Sequence, residues 1–221
     1  MKLKYKNNMM LFGGAPTNVE LFEIFKEESY SKLSLNDAVV IDNEGNIWDS
    51  AIYFAVNGAM RIISIELQQV SFNSMVENIK LNHLDDKIFT LLATSGSHDT
   101  FIEVGNKDAM SNGGNSLKLS KYRKIITIII LSNTVKECLS SDNNFLKKDC
   151  EKCEYDLIRN CYIADFRYLN QIVLEYHYGQ KKMQAKIEEA SFKVNVSKGI
   201  QGFDLKARPY FMNSGILVYP H

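Results

Sequence analysis

The chain has 221 residues, 45% of them hydrophobic and 24% charged, which is the balance of a globular domain rather than a disordered or fibrous one. Lys plus Arg and Asp plus Glu stand at 26 each, so no overall field favours nucleic acid or an anionic membrane, and a small molecule is the expected partner. No apolar run reaches the roughly 18 residues of a membrane helix, and no apolar signal core follows the basic start Met1-Lys2-Leu3-Lys4, so a cytoplasmic protein is expected. Cys138, Cys150, Cys153 and Cys161 are too few and too scattered for a secreted disulfide framework.

In chain order, Thr17-Asn18-Val19-Glu20 reads as a capping box after Pro16, with Leu21, Phe22 and Phe25 as the apolar face of a first helix. Residues 1–36 are thus expected to form a helical extension packed on the sheet of a single unit spanning 37–221. The run Val39-Val40-Ile41-Asp42 does not alternate and predicts a strand buried on both faces. A polar turn leads to Asp49-Ser50, which opens a helix running to Gly58, and Arg61–Glu66 is a second strand. Phe72, Met75, Val76 and Ile79 fall at i, i+3, i+4 and i+7, a strong amphipathic helix between 70 and 82.

Residues 87–94 predict a third strand, and 95–120 a polar connection with a turn at Asn112-Gly113-Gly114-Asn115. Ile125–Leu131 predicts a strand, followed by a short helix ending at Leu139. Phe145–Asp149 predicts a further strand, 155–162 a helix, and Gln171–His177 a buried strand. A helix at 181–190 and strands at 192–196 and 215–219 complete the chain. Strands alternating with helices imply an α/β, Rossmann-like, doubly wound and mainly parallel sheet with helices on both faces and an antiparallel C-terminal edge.

In such sheets ligands bind beyond the carboxyl ends of the strands, where strand order reverses. Candidate site residues therefore lie at 42–49, Glu66, 93–95, 149–154 and 175–178. Two strand-end acids about 20 residues apart, here Asp42 and Glu66, are the layout that binds a nucleoside, the second acid accepting ribose hydroxyls. Zinc is disfavoured, because Cys150-x-x-Cys153 has no second close pair. The cluster Lys118, Lys121, Arg123 and Lys124 reads as a solvated face.

Three blocks resemble the FkbM-like methyltransferases. The first runs from Asp42 through Ser50 and Ala51-Ile52-Tyr53-Phe54-Ala55 to Ile65-Glu66 and the segment Ser71–Asn82. The second, Leu146-Lys147-Lys148-Asp149-Cys150-Glu151-Lys152-Cys153-Glu154-Tyr155, is similar to that family's K-x-D-x-E-G-x-E signature, and the third is Ile172-Val173-Leu174-Glu175-Tyr176-His177. The resemblance implies S-adenosylmethionine as cofactor and methylation of a hydroxyl on a sugar or other small metabolite. It implies that Asp42, Gly45, Asn46, Glu66 and Thr94 serve the cofactor, that Asp49 caps the following helix, and that Asp149, Glu154, His177 or Glu151 deprotonates the acceptor.

Glu44 and Trp48 stand where that family has glycine, and Lys152 replaces a third. Glycine at such positions admits positive φ and close approach of a ligand, which Glu and Trp do poorly. Weakened cofactor binding is therefore expected, and the alternative is a catalytically impaired binding or scaffold protein of the same fold. A nicotinamide-dependent dehydrogenase is disfavoured, since no G-x-G-x-x-G follows the first buried strand.

Overall fold

The computed structural model describes residues 1–13, 21–26, 30–45, 49–96, 100–105, 123–130, 141–149, 166, 168–174, 181–196 and 216–220. The described strands are β1 (Lys2–Tyr5), β2 (Asn8–Leu11), β3 (Val39–Asn43), β4 (Arg61–Glu66), β5 (Ile88–Gly96), β6 (Thr100–Gly105), β7 (Arg123–Ile130), β8 (Asn144–Lys148), β9 (Gln171–Leu174), β10 (Phe192–Val196) and β11 (Ile216–Pro220). The described helices are α1 (Asp49–Val56), α2 (Gln69–Leu81) and α3 (Lys181–Glu189), preceded by a π-helical turn at Phe22–Lys26.

Apart from the hairpin β1–β2, the strands form a nine-stranded sheet in the order β10-β11-β9-β8-β3-β4-β5-β7-β6. The strands from β9 through β7 in that order run parallel, while β6 closes one edge antiparallel and β11 and β10 the other. From β3 the chain moves outward to β4 and β5, then returns to β8 and β9 on β3's other flank, so strand order reverses between β3 and β8. The expected Rossmann-like, mainly parallel sheet with an antiparallel C-terminal edge is what forms.

Parallel register assigns side chains to faces. Val40, Ile62, Phe145 and Val173 meet α1, α2 and the N-terminal segment in one core, while Val39, Ile41, Ile63, Ile65, Leu146, Ile172 and Leu174 meet Phe166 and α3 in the other. Helices thus cover both faces. Phe54, wholly buried on α1, stacks edge-on against Phe145 at 5.3 Å, tying helix to sheet. Gly58, at φ +106, follows α1, and Ala59 N–H donates to Phe54 O, a Schellman-type stop that requires the left-handed backbone glycine allows.

Some expectations need correction. The N-terminal extension is not purely helical. It opens with an antiparallel hairpin, Lys2 facing Leu11 and Tyr5 facing Asn8, whose turn holds Lys6 at φ +52. The first helical stretch is the π turn, and Thr17–Glu20 falls outside the described residues. Strand β6 lies in what reads as a polar connection. The 112–115 turn, the helices ending at Leu139 and at 155–162, and 175–177 lie outside the described residues. Among the described residues, no helix is long and apolar enough to cross a membrane.

Helix α2 uses a slightly different face from the predicted one: Ser71, Met75, Asn78 and Ile79 are buried, and Phe72 is only partly so. The rotation gives Asn78 and Asn82 a task. Asn82 accepts from Leu11 N–H at 2.8 Å and donates to Leu11 O at 2.7 Å, and Asn78 accepts from Gly13 N–H at 2.6 Å. These two amides stand in for a neighbouring strand along the outer edge of residues 11–13.

Asn82→Ala should therefore leave both backbone groups of Leu11 without partners and cost about 1–3 kcal/mol. Hydrogen exchange should show the Leu11 amide losing protection while Ile41 and Ile63 keep theirs; unchanged protection at Leu11 would refute the clamp.

Candidate active site at the carboxyl edge of the sheet

The switch point between β3 and β8 is bridged by a buried ion pair. Lys147 Nζ lies 3.3 Å from Asp42 Oδ1, with side-chain exposures of 4% and 0%. The register makes this contact inevitable, since Asp42 and Lys147 are paired neighbours on the same face. Lys147 also donates to Glu44 O at 2.9 Å and lies 3.9 Å from the half-exposed carboxylate of Asp149. The other oxygen of Asp42 accepts from Ser50 Oγ at 2.8 Å and, at 3.4 Å, from Ser64 Oγ.

Asp42, expected to line a cofactor, is thus fully enclosed by protein groups. Its part is to fix the start of the loop. Asp49, expected to cap the following helix, is buried in the first turn of α1 and accepts from the adjacent Ser50 N–H at 2.8 Å.

The loop after β3 folds back onto β4. Glu44 N–H and Gly45 N–H both donate to Ile65 O, at 2.8 and 3.1 Å. Glu44 sits at φ +64, so this position does require the left-handed backbone for which the FkbM-like pattern has glycine. Gly45 is needed for a different reason: a Cβ there would overlap Ser64 Oγ and crowd Asp42 Oδ2 and Met75 Sδ, each 3.3 Å away. Asn46 and Trp48 lie outside the described residues.

One strand further out, Glu66 is buried on the same face, at the N-terminal end of α2, and one of its oxygens accepts from Gln68 N–H at 2.6 Å. That bond and the positive end of α2 both favour its ionised form. Thr94, also buried, follows on that face of β5, two residues beyond the partner of Glu66. The structure therefore aligns Asp42, Glu66 and Thr94 on one face of the carboxyl edge, with Asp149 beside Lys147. Glu151, Glu154 and His177 lie outside the described residues. Among those residues no cluster of His, Cys, Asp or Glu could hold a metal ion.

Sequence reasoning missed Lys147 as an individual, and it missed Tyr30. Tyr30 comes from the N-terminal segment, packs its ring on Phe54 at 5.1 Å and on Tyr53 at 5.8 Å, and interacts electrostatically with Lys147, Asp149, Asp49 and Asp42. Desolvation pushes its phenol well above the usual range, opposed by Lys147 and reinforced by the three carboxylates. Burial by itself would lower the pKa of Lys147, yet Asp42, with Tyr30, Asp149 and Asp49, outweighs that and holds the ammonium well above its ordinary value. On the opposite face Asn43 is wholly buried, and neither polar atom of its amide has a hydrogen-bond partner. Tyr30 belongs to no motif; only the fold brings it to this edge.

Two outcomes follow from this geometry. Gly45→Ala should destabilise the fold by about 1–3 kcal/mol through overpacking, and Ser64→Ala in the same chain should recover part of the loss by removing the overlapped oxygen. Additive losses in chemical denaturation would contradict the close approach. Tyr30 and Lys147 both bind protons more tightly folded than unfolded, so their stabilisation is complete below about pH 10 and is lost as pH rises beyond the unfolded values. Urea unfolding from about pH 9 to about pH 12 should show stability falling, and falling less steeply in Tyr30→Phe; equal slopes would remove Tyr30 from the cluster.

No family model and no curated protein matches the chain. Solved structures do. The FkbM methyltransferase of Methylobacillus flagellatus superposes with a TM-score of 0.57 at 11% identity, 86% of this chain covering 46% of that one, so the chain spans less than half of its length. A Streptococcus agalactiae protein of the NADB-Rossmann superfamily matches with a TM-score of 0.52 at 11% identity, covering 93% of this chain and 69% of that one. A candidate tRNA (m1A22) methyltransferase of Streptococcus pneumoniae matches with a TM-score of 0.50 at 12% identity, covering 88% and 68%. At such identities the likeness is one of fold: this chain has the Rossmann-like architecture that the FkbM methyltransferase has, reached with a nearly unrelated sequence.

Proposed function

We propose that the chain is an S-adenosylmethionine-dependent methyltransferase that methylates a hydroxyl on a sugar or other small metabolite. The observation that carries this reading is the placement of Glu66 and Thr94 along one face of the carboxyl edge, beside the strand-order reversal, in a fold similar to that of an FkbM methyltransferase. Glu66 would accept the ribose hydroxyls, as a strand-end acid does in nucleoside sites. Around Lys147 the carboxylates of Asp42, Asp49 and Asp149 outnumber its single charge, an excess that suits a cationic ligand.

S-adenosylmethionine supplies an activated methyl group, and its transfer to an oxygen is an in-line displacement in which positioning provides much of the acceleration. This chain's share is to hold the two partners in line and to accept the acceptor's proton. Asp149, partly exposed at the end of β8 and 3.9 Å from Lys147 Nζ, is the described carboxylate best placed for that.

One observation favours a second reading. The N–H groups of Glu44 and Gly45 are both spent on Ile65 O, so this part of the loop offers no donors to a ligand carboxylate. A protein of this fold that binds a small molecule without transferring a methyl group fits that feature better.

Calorimetric titration of the whole chain with S-adenosylmethionine, S-adenosylhomocysteine and NADH separates the readings. Wild type should bind the two sulfur nucleosides weakly and NADH not at all. Glu66→Gln, which keeps an acceptor for Gln68 N–H but loses the charge, should weaken them by about ten-fold or more. Glu44→Gly should tighten them by relieving the left-handed strain and removing a charge near the ligand. If neither wild type nor Glu44→Gly/Trp48→Gly binds while both remain folded, the binding-protein reading stands in place of the methyltransferase.

A further inference from the structure

Away from the carboxyl edge, strand β1 and the π-helical turn enclose a cleft of about 310 Å³. Leu3, Tyr5, Leu21 and Phe25 supply its walls, and Lys4 and Lys26 stand exposed at its rim. That volume lies at the small end of the range for small-molecule sites, and mostly apolar walls with a few polar groups are typical of them. The cleft lies toward the opposite end of α1 from Asp49, although Tyr53 beneath its walls also touches Tyr30, at 5.8 Å. The Tyr5 hydroxyl donates to Asn57 Oδ1 at 3.4 Å, just past the last residue of α1, whereas Asp49 at the first residue belongs to the switch-point cluster. An eight-residue helix separates the two ends by about 12 Å.

The walls are held open by rigid packing. Tyr5 and Phe25 meet edge-to-face at 5.2 Å, and both rest on Tyr53 of α1, at 5.8 and 5.5 Å. Phe22–Lys26 is wound as a π turn, a wider and rarer winding than the α-helix that is frequent at functional sites. The lysines are suited to the rim: their stems extend the apolar wall while their ammonium groups stay in water. Among the described residues, the charged side chains lining the cleft, Lys4 and Lys26, are both positive.

We propose that this cleft binds a small amphiphilic carboxylate, a medium-chain fatty acid in chemical class, with its chain between Leu3, Leu21 and Phe25 and its head held by Lys4 and Lys26. Binding needs no covalent step, and it stands independently of methyl transfer. Aromatic walls favour the chain by burial, while the two ammonium groups select the carboxylate over an alcohol of equal length.

Calorimetric titration of the full chain with decanoate, kept below its micellar concentration, and with decan-1-ol is the test. Decanoate should bind saturably at one site, and decan-1-ol at least ten-fold more weakly. Lys4→Gln/Lys26→Gln should bring the two ligands to equal affinity. Leu3→Trp, which fills the cleft, should abolish binding without lowering the melting temperature, and the lysine variant keeps the test decisive if that chain folds poorly. Absence of saturable binding, equal affinities for acid and alcohol in wild type, or decanoate binding indifferent to the lysine variant would overturn the proposal.

Discussion

Lys147 and Asp42 meet where the sheet changes direction, and the geometry around them follows from the need to satisfy two charges taken out of water. A buried carboxylate and ammonium are costly to desolvate, and their attraction offsets that cost only when the remaining hydrogen-bonding capacity is also used. Here Ser50 and Ser64 reach the second oxygen of Asp42 and Glu44 O takes a donor from Lys147, while Asp42 Oδ1 has the ammonium at 3.3 Å and no hydrogen bond. Each partner belongs to a different element: the first turn of α1, strand β4, and the loop after β3. The pair therefore fixes where α1 starts, how closely β4 approaches the loop, and why Glu44 must present its carbonyl to β8. The left-handed backbone at Glu44 is part of the same solution.

This arrangement bears on function because it uses groups that a ligand would otherwise use. Asp42 faces inward, and the amides of Glu44 and Gly45 face β4. On the same side of the edge stand Glu66, Thr94 and Asp149, with Tyr30 brought in from outside the sheet. These groups are acidic, and Glu66 among them lies at α2's N-terminus. The fold is common to enzymes of many activities, and the discrimination lies in such details.

The buried strands were legible because continuous runs such as Val39-Val40-Ile41 and Arg61–Glu66 have a single physical use, burial on both faces of a parallel sheet. Strands β1, β2 and β6 were not: β1 alternates, Lys2-Leu3-Lys4-Tyr5, but over only four residues, and the methionines of β2 and the mixed residues of β6 give no clear period. At the site, Asp42 and Glu66 stood out as strand-end acids, but their partners did not. Lys147 is 105 positions from Asp42, and a lysine pair inside Phe145-Leu146-Lys147-Lys148 reads as a strand turning polar, whereas both lysines are buried. Tyr30 is invisible for a similar reason: its role comes from the packing of α1 under it. Sequence pattern reports which way an element faces; it does not report what crosses the gap between distant elements.

The asparagine clamp has a consequence for the order of events during synthesis. Residues 11–13 are made before the amides that receive them: Asn78 follows Gly13 by 65 positions and Asn82 follows Leu11 by 71. At translation rates of about 5–20 residues per second, that interval is roughly 3–14 seconds. Throughout it, Met9, Met10, Leu11 and Phe12 have only the β1 side of the hairpin as a native partner, and their outer backbone edge stays open, the kind of edge that neighbouring nascent chains engage. The outer edge of residues 11–13 is thus closed only once α2 has emerged, whereas Asp42 waits longer still, for Lys147.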